Sequence, residues 1–180
     1  LEPAQLLLQV VRAVGFTGSQ KAGLAIAALG ANRRIPMPVF AEMGSVNVVV
    51  VTASAANERG GEIADQIADS ILARFGQQCT RPGFVVIEPC DGALALTERL
   101  AARIAAADGR DMLAPWIRDS YLRRCDELQT CRGVRVLARG RDGTGHRGAA
   151  ACLFVVDKTH LNGPDGGIVV FDQDALREEI

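Results

Sequence analysis

The feature that most constrains this chain is alternation: short runs of β-branched residues recur between longer segments with helical periodicity. Residues 46–51 (VNVVVV) and 84–88 (FVVIE) are nearly unbroken apolar runs. Such runs predict strands buried on both faces, because a strand with one wet face alternates polar and apolar residues. Between them, residues 56–75 carry Ile63, Ile67, Ile71 and Leu72 on one helical face, with Asp65 and Asp69 elsewhere. Further strands are predicted at 13–17, 39–42, 134–138 and 150–156, helices at 19–29, 94–106 and 115–128, and the start of a last helix or turn at 174–179. Strands separated by helices pair in parallel, so the expected fold class is α/β, a mostly parallel sheet with covering helices. The glycine-rich stretches 140–148 (GRDGTGHRG) and 162–167 (NGPDGG) read as polar surface loops.

Composition enters where it excludes. Twenty Lys plus Arg against 21 Asp plus Glu leave a formal charge of −1, which offers nucleic acid and anionic membranes no general attraction. No apolar run reaches the roughly 18 residues of a membrane span. The opening Leu1-Glu2-Pro3 has neither a basic nor an apolar signal region. It also lacks an initiator Met, so the chain is expected to be a piece of a longer one. The five cysteines are odd in number, contain no CxxC pair and have no histidine at ligand spacing. They argue against a disulfide framework and against a metal site, and suit a reducing cytoplasm. Residues 1–42 make a β-α-β piece with too few partners for a domain, whereas 43–180 has enough strands and helices for one.

Three positions invite chemistry. In Gly18-Ser19-Gln20-Lys21-Ala22-Gly23 a strand ends in glycine and a helix begins. Backbone N–H groups and the helix dipole there suit phosphate or ribose oxygens; the plainer reading is Ser19 as an N-cap with glycines shaping the turn. Cys79 follows a long helix in a polar Gly/Pro loop before a strand, an exposed setting for a thiol that otherwise favours apolar surroundings; the plainer reading is an inert thiol. Glu42 ends an apolar strand ahead of Gly44, where a carboxylate can act as a general base; the plainer reading is an exposed Glu paired with Arg33 or Arg34. Arg81 could meet an anionic substrate or simply be a surface arginine. His146 and His160 read as surface histidines, Trp116 and Tyr121 as packing residues, and Cys90, Cys125, Cys131 and Cys152 as structural thiols.

Together these segments resemble the aldehyde dehydrogenase family. Phe16-Thr17-Gly18-Ser19 followed by Gly23 is similar to its FTGSxxxG turn, Glu42-Met43-Gly44-Ser45-Val46-Asn47 to its ELGGKN segment, and Gly76-Gln77-Gln78-Cys79-Thr80 to its GQxCT segment. The closing Glu179-Ile180 is similar to the start of EIFGP. The wording resembles most the branch of α-ketoglutaric semialdehyde and NADP-linked fatty aldehyde dehydrogenases. The resemblance implies oxidation of an aldehyde, with NAD or NADP as cofactor. Cys79 would be the nucleophile that forms a thiohemiacetal and then a thioester, and Glu42 the base that activates hydrolytic water. Gly18, Ser19 and Gly23 would lie along the cofactor's phosphates and ribose, Met43 near the nicotinamide, and Glu179 on the nicotinamide ribose. Residues 1–42 would be the tail of the dinucleotide-binding domain and 43–180 the cysteine-bearing catalytic domain of a parent that forms homo-oligomers. The family's members are much longer. The asparagine that completes the oxyanion hole has no counterpart here, and Val48 stands where proline is common.

Two other classes remain open at the level of residues. One is a cofactor-independent thiol esterase using Cys79 and Glu42, distinguished by hydrolysis of activated esters without a dinucleotide. The other is a catalytically incompetent interaction module whose unpaired strand edges associate with a complementary chain.

Overall fold

The computed structural model describes residues 10–156, and the chain divides into two compact units between Gly44 and Ser45. In the first unit, strand β1 (Val14–Gly18) leads into helix α1 (Gln20–Ala31). Strand β2 (Val39–Met43) then returns parallel to β1, in register from Val14 opposite Val39 to Gly18 opposite Met43. Ser19 caps α1 by accepting a hydrogen bond from the Ala22 N–H at 3.4 Å, which satisfies one of the donors a helix start leaves open. The small residues of α1 have a packing reason. A Cβ on Gly23 would stand 2.3 Å from Met43 Sδ, and one on Gly30 would stand 2.7 Å from Val39 Cγ2. Both positions let the helix lie close on β2.

The second unit opens with β3 (Asn47–Val51), α2 (Ala53–Leu72), a 3-10 turn (Ala73–Gly76), β4 (Pro82–Ile87) and α3 (Asp91–Ala105). β3 and β4 pair in parallel, with a bulge between Asn47 and Val48. Helix α2 presents Ala56, Gly60, Ala64 and Ala68 at four-residue spacing, all buried, beside the buried Ile63 and Ile67. α3 answers with Leu96, Leu100 and Ile104, each 1% exposed or less. Small side chains on one helix thus admit large ones from the other, and with Val51, Val85 and Ile87 they form an aliphatic core. The approach is closest where a Cβ on Gly92 would come within 2.6 Å of the Ala56 carbonyl oxygen. At the solvent edge of the helix pair Asp65 bonds Arg99 (2.6 Å) and Arg103 (3.0 Å). Those guanidinium groups hold the Asp65 carboxyl below its usual range, the Arg99 hydrogen bond first.

The remainder adds β5 (Arg110–Asp111), α4 (Pro115–Thr130), β6 (Val134–Arg139), β7 (Gly148–Ala149) and β8 (Cys152–Val156). β6 pairs with β8 and β5 with β7, both antiparallel. A second core of Met112, Tyr121, Cys125, Leu128, Ala149 and Phe154 joins α4 to these strands. No helix among the described residues is long and apolar enough to cross a membrane.

The α/β pattern read from the sequence holds, with four corrections. Strand β3 is not buried on both faces: Val49 and Val51 point inward, while Val48 and Val50 are 57% and 67% exposed. Parallel pairing gives way to antiparallel pairing in the last third, where the connections are loops or lie between non-adjacent segments. The 140–148 stretch ends buried, because Gly148 belongs to β7 and lies against the Gly143 backbone. Trp116 does not pack, being 73% exposed. The segment 162–167, the helix or turn expected at 174–179, His160 and Glu179 lie outside the described residues.

Candidate active site

Parallel strands bring their carboxyl ends together, and in α/β folds ligands bind at such ends. In the first unit that end gathers most of the residues singled out from sequence. Gly18 stands opposite Met43, and Thr17 opposite Glu42. The Gly44 N–H donates to the Gly18 carbonyl at 3.1 Å, which ties the two strand ends together. Gly18 and Ser19 are exposed at the N-terminus of α1. Its first turn contains no acidic residue, and Lys21 is exposed there. Backbone donors at a positive helix end, with no carboxylate to repel an anion, fit a phosphate-bearing cofactor. Gly23 is buried and takes the Met43 side chain against the helix.

Glu42 alternates outward with Phe40 on β2 and is exposed. Of the two arginines considered as its partner, Arg33 donates from Nη1 to the Val11 carbonyl at 2.8 Å and contacts Met37 Sδ at 3.0 Å.

Cys79 belongs to the second unit, in the loop between the 3-10 turn and β4. The chain enters that loop through three consecutive residues of positive φ, Arg74 (47°), Phe75 (56°) and Gly76 (72°). For the two side-chain-bearing residues this costs about 1–2 kcal/mol each. The loop is held from across the sheet by Asn47, at the start of β3 and in register with Pro82. Asn47 Nδ2 donates to the Cys79 carbonyl at 2.7 Å and to the Arg81 carbonyl at 2.8 Å. The Ser45 hydroxyl also donates to the Cys79 carbonyl, and Asn47 Nδ2 reaches that hydroxyl at 3.2 Å. From the other side, the Gln77 side-chain oxygen accepts from the Leu113 N–H at 2.8 Å. The backbone of Cys79 is thereby fixed while its thiol stays exposed, the arrangement a nucleophile requires. Arg81 is half-buried, its stem against Gly76.

The structure therefore collects Gly18, Ser19, Gly23, Glu42 and Met43 at one strand end of the first unit, and surrounds Cys79 with Ser45 and Asn47 in the second. The two clamp residues were visible only as parts of a motif. Their signal was a short hydroxyl and a carboxamide placed one strand before a loop cysteine. Among the described residues no group of acidic, histidine or cysteine side chains could hold a metal ion.

An exposed strand–helix turn in the first unit and a clamped, exposed cysteine loop in the second are thus the two features that this α/β protein offers for chemistry. The chain belongs to the aldehyde dehydrogenase family, whose model matches residues 5–145. It is similar to α-ketoglutaric semialdehyde dehydrogenase 2 of Azospirillum brasilense, at 37% identity over 81% of this chain and 28% of that protein. It is also similar to an α-ketoglutaric semialdehyde dehydrogenase of Acinetobacter baylyi, at 33% identity over 84% of this chain and 29% of that protein. The chain thus spans less than a third of the length of these relatives. Its fold matches the crystal structure of γ-glutamyl-γ-aminobutyraldehyde dehydrogenase from Burkholderia cenocepacia, with a TM-score of 0.70 and 21% identity over 87% of this chain and 34% of that one.

Proposed function

We propose that this chain contributes the nucleophile, the base and part of the dinucleotide site to an enzyme that oxidises an aldehyde to its carboxylic acid. A semialdehyde such as 2,5-dioxopentanoate is the proposed substrate, in line with the relatives' own names. The observation that carries the reading is the clamp on Cys79. Asn47 and Ser45 come from the same motif as Glu42, and they donate to the backbone of the cysteine itself.

In this reading the Cys79 thiolate attacks the aldehyde carbonyl carbon to give a thiohemiacetal. The Cys79 N–H donates to the developing oxyanion, a contribution worth about 10²–10³ in rate for one such donor. NAD or NADP, when bound, would supply the acceptor for the hydride that leaves the thiohemiacetal carbon. The thioester left on Cys79 is hydrolysed by water from which Glu42 takes a proton, and Cys79 leaves as thiolate. Gly18, Ser19 and the first amides of α1 hold the dinucleotide's phosphate and ribose oxygens, Gly23 keeps the helix close, and Met43 lines the nicotinamide end. Glu179 is assigned to the nicotinamide ribose from its motif alone. Residues 1–42 are the tail of the dinucleotide-binding part and 43–180 the cysteine-bearing part.

The test is the rate of iodoacetamide alkylation at each cysteine of the full chain, followed by peptide mass spectrometry with and without NADP. Faster labelling of Cys79 than of Cys131, which is also exposed, slowed by NADP, is the expected result. Equal rates at the two cysteines would overturn the assignment of Cys79.

A further inference from the structure

A second thiol cluster stands apart from Cys79, in the core built on α4. Cys152 opens β8 and is half-buried; its register partner on β6 is Arg139. The Arg139 guanidinium reaches Cys152 Sγ at 3.9 Å and is itself held by Asp142. Helix α4 supplies Cys125, buried in the core against which Cys152 packs. One turn earlier on the same helix, the buried Tyr121 donates its hydroxyl proton to the Ala150 carbonyl and belongs to the same core. The Cys152 sulfur thus lies between the Arg139 guanidinium, which donates to it, and the core that holds Cys125 and Tyr121. The nearby Cys125 thiol first, then Tyr121 and the Arg139 guanidinium, hold the Cys152 thiol below its ordinary range, while the contact with Cys152 and burial push Cys125 up. A thiolate beside a protonated thiol, with a cation at the rim, is how low-pKa, oxidation-sensitive cysteines are built next to a resolving cysteine. Neither residue takes part in the aldehyde chemistry proposed above.

We propose that Cys152 and Cys125 form a thiol modification site that reacts with a hydroperoxide and closes to an intramolecular disulfide. The Cys152 thiolate attacks the terminal oxygen of the hydroperoxide, and the O–O bond breaks. The leaving alkoxide takes a proton from solvent, and Cys152 becomes a sulfenic acid. The Cys125 sulfur then attacks the Cys152 sulfur, the S–O bond breaks, and the Cys125 proton leaves with the hydroxide as water. Two thiols lose two electrons in all, and the hydroperoxide gains them as alcohol and water.

The experiment treats the full chain with an equimolar amount of hydrogen peroxide and alkylates the remaining thiols with N-ethylmaleimide. Digestion uses trypsin and Glu-C together, because Cys131 shares a tryptic peptide with Cys125 and only cleavage after Glu127 separates them. The expected result is a linked pair of peptides bearing Cys125 and Cys152, lighter by two hydrogens than the sum and released by dithiothreitol. Dimedone should label Cys152 in Cys125→Ala, where the sulfenic acid has no resolving partner. Full alkylation of both cysteines after peroxide, or a link from either to Cys79, Cys90 or Cys131 instead, would overturn the proposal. The measurement on the unmodified chain decides the question even if Cys125→Ala folds poorly.

Discussion

Strands β3 and β8 have the same length and nearly the same chemistry, NVVVV and CLFVV, yet opposite fates. In β3 alternate valines face solvent and only Val51 is buried, whereas the last four residues of β8 are all 7% exposed or less. The difference lies in what stands on each face. Leu153 enters the aliphatic core between α2 and α3, and its neighbour Phe154 enters the core of α4. One strand thus serves two layers. β3 packs against α2 and α3 through Val49 and Val51, while its outer valines Val48 and Val50 stay exposed. An apolar run shows that a strand can be buried on two faces; only the layers around it determine whether it is.

The comparison can be broken most directly at β8. Phe154→Ala should cost about 3–5 kcal/mol and Leu153→Ala about 2–5 kcal/mol in urea unfolding, each through a different core. A cost near zero for either would mean that β8 has one dry face, like β3. Next comes the layer beneath Leu153. Gly92→Ala should destabilise by about 1–3 kcal/mol, because the new Cβ meets the backbone of Ala56, which cannot move aside without parting α2 from α3. An unchanged midpoint would show that the helices do not approach there. On β3, Val50→Thr should stay within about 0.5 kcal/mol of the parent, since its side chain is already in water. A large loss would place a covering layer on that face.

The smallest effect belongs to the ion cluster that edges the α2–α3 pair. The Asp65 carboxyl is held below its ordinary value in the folded chain, so its contribution is present above the usual carboxylate range. It is lost as pH falls through the lowered value. Asp65→Asn should therefore change stability slightly at neutral pH and flatten the acid limb of the stability profile. An acid limb identical to the parent's would show that the exposed pair contributes nothing.

Local chemistry made much of the molecule legible in advance. Ser19 was readable as a cap because capping needs only its own side chain and the next turn. The β-α-β order, the proline at the start of α4 and the inward stripe Ile63, Ile67 depend on periodicity within one element. The small-residue stripe Ala56, Gly60, Ala64, Ala68 escaped notice because weakly apolar residues leave little signal until a partner helix fills the gaps. The short β5–β7 pair escaped because two-residue strands carry no period. Cys79 was legible from its loop, and the Asn47 clamp was not. Its donor and acceptors lie over 30 residues apart and meet only through the β3–β4 register.

The sequence alone determined the α/β class, the order of the longer elements, the strand–helix turn at Gly18 and Ser19, and that Cys79 sits in an open loop. All of these follow from residues close in the chain, where propensity, capping and period act. Tertiary structure decided which valines are dry, that the last strands run antiparallel, that Asn47 holds the Cys79 loop, and that Cys125 meets Cys152. Each of those depends on two distant segments arriving face to face, a matter of register and layer packing that no single stretch of sequence contains.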